Sequence, residues 1–171
     1  MFIDLANFLN NKDFFLPIEG RLESKSIDFG KEVNISEPIK YDGKIHRING
    51  DKLIDVRIHY IYKGNCDRCL KPITNDVSTK LTGRLVEANT GDTITPEKFE
   101  EIIYFKNNIL NIKDYIVNQV IISLPMKSLC NSDCMGLCPK CGADLNFVNC
   151  DCDLDEIDPR LEKLQNFFLK N

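Results

Sequence analysis

The chain has 171 residues, 43% hydrophobic and 28% charged, which is enough for one domain or one domain plus a small module and excludes a wholly disordered or collagen-like chain. Its 22 Lys+Arg against 26 Asp+Glu leave a formal charge of −4, which excludes a domain covered in phosphate contacts, since that would show a basic face and a high pI. No apolar run approaches the roughly 18 residues of a membrane span.

The N-terminus, MFIDLANFLNNKDFF, lacks a basic n-region and carries Asp4 early, so a globular cytoplasmic protein is expected rather than a secreted one. Ile3, Leu5, Ala6 and Leu9 fit a short helix, and Phe14, Phe15 and Leu16 precede Pro17. Leu22, Ile27 and Phe29 suit one extended segment, and Val33 and Ile35 a second that ends at Pro38. Asp42-Gly43 and Asn49-Gly50 then divide residues 39–62 into three strands, because both dipeptides supply the positive φ angles of tight hairpins. In the third strand Ile54, Val56, Ile58, Tyr60 and Tyr62 alternate with Asp55, Arg57 and His59. Val77, Thr79, Leu81, Gly83 and Leu85 continue the same period of two.

Residues 88–101 read as a loop and Ile102–Phe105 as a further strand. From Ile112 the spacing of Tyr115–Ile116, Gln119–Val120 and Ser123–Leu124 predicts a helix that Pro125 must end. Asp158-Pro159 supplies an N-cap and a first-turn proline for a terminal helix with Leu161, Leu164 and Phe168 on one face. The expected fold is α+β: an antiparallel meander, partly closed like a barrel, over residues 1–129, with a cysteine-rich module and its helix over 130–171. That second stretch holds four bases and eight acids and so carries the whole charge excess.

Eight cysteines dominate the chemistry. Disulfides need a secreted context that the sequence does not offer. Cys138-Pro-Lys-Cys141-Gly has the form of a zinc knuckle, and Cys150-Asp-Cys152 completes four thiolates for a tetrahedral ion. Cys66, Cys69, Cys130 and Cys134 remain for a second site, with Cys130 and Cys134 one helical turn apart; the alternative is one zinc and four free thiols. A redox role for Cys66-Asp-Arg-Cys69 lacks the βαβ setting of thioredoxin folds. His46 and His59 lie on strands, away from the cysteines. Asp151, Asp153, Asp155 and Glu162 imitate a calcium loop, but Glu156 stands where glycine is needed, so a solvated acidic linker is the better reading.

Cys66-Asp-Arg-Cys69-Leu70, Leu124-Pro125, Leu129-Cys130, the run from Cys134 to Gly142, Leu145-Asn146, Cys150-Asp-Cys152 and Asp158-Pro-Arg-Leu161 together resemble the YceD family, named for large ribosomal RNA subunit accumulation. The resemblance implies a cytoplasmic role in ribosome production and brings no catalytic residues with it. Three functions follow for comparison. The first is a non-enzymatic, zinc-stabilised scaffold binding large-subunit rRNA or a ribosomal precursor protein. The others are an RNA-processing or modification enzyme, and a protein–protein adaptor without RNA contact. Neither a membrane nor a small-molecule substrate is indicated.

Overall fold

Strict alternation makes the centre of this molecule a sheet. In the computed structural model, residues 1–11, 13–23, 34–88 and 101–152 are described. In chain order the elements are β1 (Phe2–Asp4), α1 (Ala6–Asn10), β2 (Phe15–Leu22), β3 (Asn34–Ile48), β4 (Asp51–Asn65), β5 (Pro72–Glu87), β6 (Ile102–Phe105), β7 (Ile109–Asn111) and α2 (Lys113–Ser123). Strands β2 to β6 form one five-stranded sheet in sequence order, and β1 pairs with β7 in a small second sheet. The β2–β3, β3–β4 and β4–β5 pairs are antiparallel, whereas β6 joins β5 in parallel.

Three expectations are corrected here. The sheet is open, not barrel-like. The chain returns to β6 in the same direction as β5, so β6 ends the sheet without reaching β2. Nor does Asp42-Gly43 turn: β3 runs through it, with Gly43 opposite Val56 and Asp42 opposite Arg57. Glycine serves a close approach there, because a Cβ at position 43 would lie 2.1 Å from the Asp55 carbonyl oxygen. Asn49-Gly50 does turn, with φ of 50° and 93°, and joins two 15-residue strands. Pro38 ends nothing; β3 passes it with a register shift between Ser36 and Lys40, since proline has no N–H for the ladder.

One face of the sheet is core. Ile39, Ile45, Ile54, Val56, Ile58, Leu81 and Ile103 are buried there beneath Leu5 and Phe8 near α1, Leu110 of β7, and Ile112, Ile116 and Val120 at α2. Each such side chain contributes roughly 1.5–3 kcal/mol of transfer free energy. The predicted helix from Ile112 is present: Ile116 and Val120, four residues apart, face the core, and Leu124 turns extended before Pro125. Tyr60, buried beneath α2, lies 2.9 Å from the Ser123 hydroxyl, and Gln119 donates to the Thr79 hydroxyl at 2.9 Å, which fixes the helix on β4 and β5. The terminal helix expected from Pro159, and the segment containing Ile27, Phe29 and Val33, lie outside the described residues. Among the described residues no helix is long and apolar enough to cross a membrane.

Candidate metal centres

The connection between β4 and β5 is a knuckle. Cys66 N–H donates to the Lys71 carbonyl at 2.8 Å, and Leu70 N–H donates to the Cys66 carbonyl at 2.9 Å. Residues 138–143 repeat the pattern: Cys138 N–H reaches the Ala143 carbonyl at 2.8 Å, and Gly142 N–H reaches the Cys138 carbonyl at 2.9 Å. In both, the residue after the second cysteine has positive φ, 59° at Leu70 and 74° at Gly142. The two C-x-x-C turns are therefore the same device, one spliced into a hairpin and one in the C-terminal cysteine segment.

Each knuckle meets a second cysteine pair. Cys66, Cys69, Cys130 and Cys134 form one set and Cys138, Cys141, Cys150 and Cys152 the other, with all sulfurs of a set within 4.8 Å of one another. A tetrahedral shell with 2.3 Å metal–sulfur bonds has edges of about 3.8 Å. In the first set Cys66 Sγ lies 3.8 Å from Cys134 Sγ, and Cys69 Sγ lies 3.6 Å from Cys130 Sγ. Donor type, number and spacing fit a closed four-thiolate site, so each cluster could hold a metal ion. Cys130 and Cys134 do not share a helical turn as expected. They flank an irregular turn in which Cys134 N–H donates to the Asn131 carbonyl at 3.1 Å.

Local hydrogen bonds already favour thiolate. Burial pushes the Cys66 thiol up, but the N–H groups of Cys69, Cys130 and Arg68 outweigh it and bring the thiol down to about 6. At Cys138 the N–H groups of Cys141 and Lys140 overcome burial and also bring the thiol to about 6. Cys130 and Cys152 are each pushed up to about 12, mainly by hydrogen bonds to neighbouring cysteine sulfurs, from Cys134 and Cys141 respectively. Without a cation, neighbouring cysteine sulfurs hold back ionisation of Cys130 in the first cluster and of Cys152 in the second. A divalent ion removes that repulsion.

The surrounding contacts join the two clusters. The Arg68 guanidinium donates to the Cys134 carbonyl at 2.7 Å, and its own carbonyl accepts from Leu137 N–H at 3.1 Å. Gly136, at φ 80°, lets that strip approach, since a Cβ would meet the Arg68 carbonyl oxygen at 3.0 Å. Asp67 accepts from Ser128 N–H at 2.6 Å. From the loop between Cys141 and Cys150, Asn146 Nδ2 donates to Cys134 Sγ at 3.5 Å, and Asp144 pairs with Lys71 at 3.0 Å. Asn146 and Lys71 carry no spacing signal, because they act across folded segments rather than within a motif. The eight cysteines thus lie in two sets of four, and His46 and His59 lie on the sheet, apart from both.

The family model described as "Large ribosomal RNA subunit accumulation protein YceD" matches residues 54–168, about two thirds of the chain and all eight cysteines. The chain belongs to the YceD family. Its relatives include an uncharacterized protein of Mycobacterium tuberculosis, 32% identical over 101 residues, which are 59% of this chain and 48% of that protein. An uncharacterized protein of Mycobacterium leprae is 28% identical over 74% of this chain and 58% of its own length. The large ribosomal RNA subunit accumulation protein YCED homolog 1, chloroplastic, of Arabidopsis thaliana is 33% identical over 40% of this chain and 22% of its own. The chain thus spans about half the length of the mycobacterial relatives it matches. No solved structure matches this YceD-family chain.

Proposed function

We propose that this protein is a non-enzymatic cytoplasmic factor in the accumulation of large-subunit ribosomal RNA. Two structural zinc ions hold it in shape, and it engages that RNA or a ribosomal precursor protein. The family match across residues 54–168 carries the reading. Zinc at Cys66, Cys69, Cys130 and Cys134 ties residues 130–171, as a module, to the sheet domain of residues 1–129. Zinc at Cys138, Cys141, Cys150 and Cys152 orders the module itself. A four-thiolate shell has no open position for substrate, which supports a structural rather than a catalytic ion.

Elemental analysis of reduced, purified protein should find two zinc ions per chain, and less than one would overturn the zinc assignment. Depletion from growing cells should lower large-subunit RNA relative to small-subunit RNA, and tagged protein should sediment with large-subunit precursors. An unchanged RNA ratio together with protein confined to the top of the gradient would overturn the functional assignment.

A further inference from the structure

The sheet has a second face that no described element covers. From β2 to β5 its side chains include Glu19 and Arg21, Lys40 and Lys44, Arg57 and His59, Lys80 and Thr82, all exposed. At the rise of an extended strand, the 15 and 16 residues of β3, β4 and β5 make this face about 50 Å long. Six of its charges are matched in pairs: Arg57 with Asp42 at 2.7 Å, Lys80 with Asp55 at 2.7 Å, Arg84 with Asp51 at 4.0 Å.

One row departs from that pattern. Arg21 lies directly opposite Lys40, Lys40 directly opposite His59, and His59 opposite Ser78. The row contains no acid. Among the described residues no ion pair or hydrogen bond engages the side chain of Arg21 or Lys40. Like charges placed directly opposite in a sheet are destabilising, so folding supplies no reason for the pairing. The row lines a shallow concavity of about 600 Å³, fenced by Glu19, Asp42 and Asp76, with the Asp42 carboxylate already held by Arg57. Farther along the face Lys44 lies over the half-exposed Phe15 ring at 5.4 Å.

We propose that this bare face binds single-stranded RNA, with the Arg21–Lys40–His59 row gripping the phosphate backbone and Phe15 offering a stacking surface. The proposal rests on the ribosomal RNA reading above. A phosphate between Arg21 and Lys40 converts their repulsion into two charge-assisted contacts. The open, elongated face suits a strand laid across it better than a single enclosed ion. An unstacked strand with accessible bases is also what exposed aromatic rings on a sheet recognise.

The test is fluorescence anisotropy with zinc-loaded full-length protein and a labelled mixed-sequence single-stranded RNA, at about 50 and about 200 mM salt, with a labelled duplex RNA in parallel. The double variant Arg21→Gln/Lys40→Gln should bind the single strand roughly tenfold more weakly, with a salt slope shallower by about 1–2. It should melt no earlier than wild type, because the like-charge pair is gone. The pair Lys106→Gln/Lys113→Gln, away from this face, should bind as wild type. The single variant Lys40→Gln keeps the assay interpretable if the double variant is unstable.

Wild-type affinity in folded Arg21 and Lys40 variants would overturn the proposal, as would preference for the duplex. If wild-type protein binds no RNA yet sediments with large-subunit precursors, this face falls and the functional reading stands with a protein partner. If it does neither, both fall.

Discussion

Leu70 is held at φ 59° with its side chain 64% exposed, where the second knuckle uses Gly142. The left-handed region costs an L-residue about 1–2 kcal/mol, and an exposed leucine recovers little of that by burial. Leu70→Gly should therefore be neutral or stabilising by up to about 1 kcal/mol in urea unfolding of the metal-loaded protein, despite the looser unfolded chain. Gly136→Ala should move the other way and lose about 1–3 kcal/mol, because it adds a positive-φ penalty to a 3.0 Å contact with the Arg68 carbonyl. At Asn146 the measurable quantity is metal retention. Removing the amide that donates to Cys134 Sγ should speed metal release to a chromogenic chelator roughly 10-fold or more, while secondary structure by circular dichroism stays intact.

At the level of strands and turns, two similar dipeptides have opposite fates. Gly50 sits in open space, so Gly50→Ala should cost about 1–2 kcal/mol through its φ of 93° alone. Gly43→Val should cost more, at least about 3 kcal/mol by chemical denaturation, since its side chain would be driven into the Asp55 backbone. Local sequence marks both positions as turns. What separates them is the partner strand, since position 43 is opposed by Val56 across a continuous ladder. The same limit applies elsewhere. Period-two spacing made β4 and β5 legible and helical spacing made α2 legible, because each reports burial on one face. The parallel docking of β6 and the pairing of β1 with β7 leave no periodic trace, since a three- or four-residue strand is too short to show one. The division of the cysteines into two spatial sets is readable from spacing because each set pairs a C-x-x-C knuckle with one further cysteine pair. The knuckle geometry at Leu70 stayed hidden because leucine stands where glycine is the usual sign.

For the molecule as a whole, alkaline pH probes the packing of α2 against the sheet. Burial pushes the Tyr60 hydroxyl above its ordinary 10, opposed in part by its bond to Ser123, and burial raises Tyr41 as well. An unfolded chain ionises these groups near 10 while the folded chain still holds the protons. Their contribution is therefore intact below pH 10 and declines as pH rises from there to the folded pKa values. Tyr60→Phe should flatten that decline in melting experiments above pH 10. The two clusters also differ in access: in the first Cys66, Cys69 and Cys134 are buried and Cys130 exposed, whereas in the other only Cys138 is buried, Cys141 being exposed and the remaining pair intermediate. Chelator titration should release metal in two phases, and Cys141→Ser should abolish the faster one while leaving the sheet folded.

The knuckle inserted at the β4–β5 turn has a topological consequence. The sulfurs that meet there come from positions 61 and 68 residues apart in the chain, so an ion bridging them closes a loop containing β5, β6, β7 and α2. Closing a loop of that size removes disorder from the unfolded chain worth about 4 kcal/mol by the chain-entropy estimate used for disulfides. A disulfide opens on reduction, whereas this cross-link opens when its ion is removed. The fraction of chains with both ends fastened would rise and fall with the free metal ion relative to its dissociation constant, in step with mass action. Supply of a trace metal would then set how much of this protein is available in its fastened form.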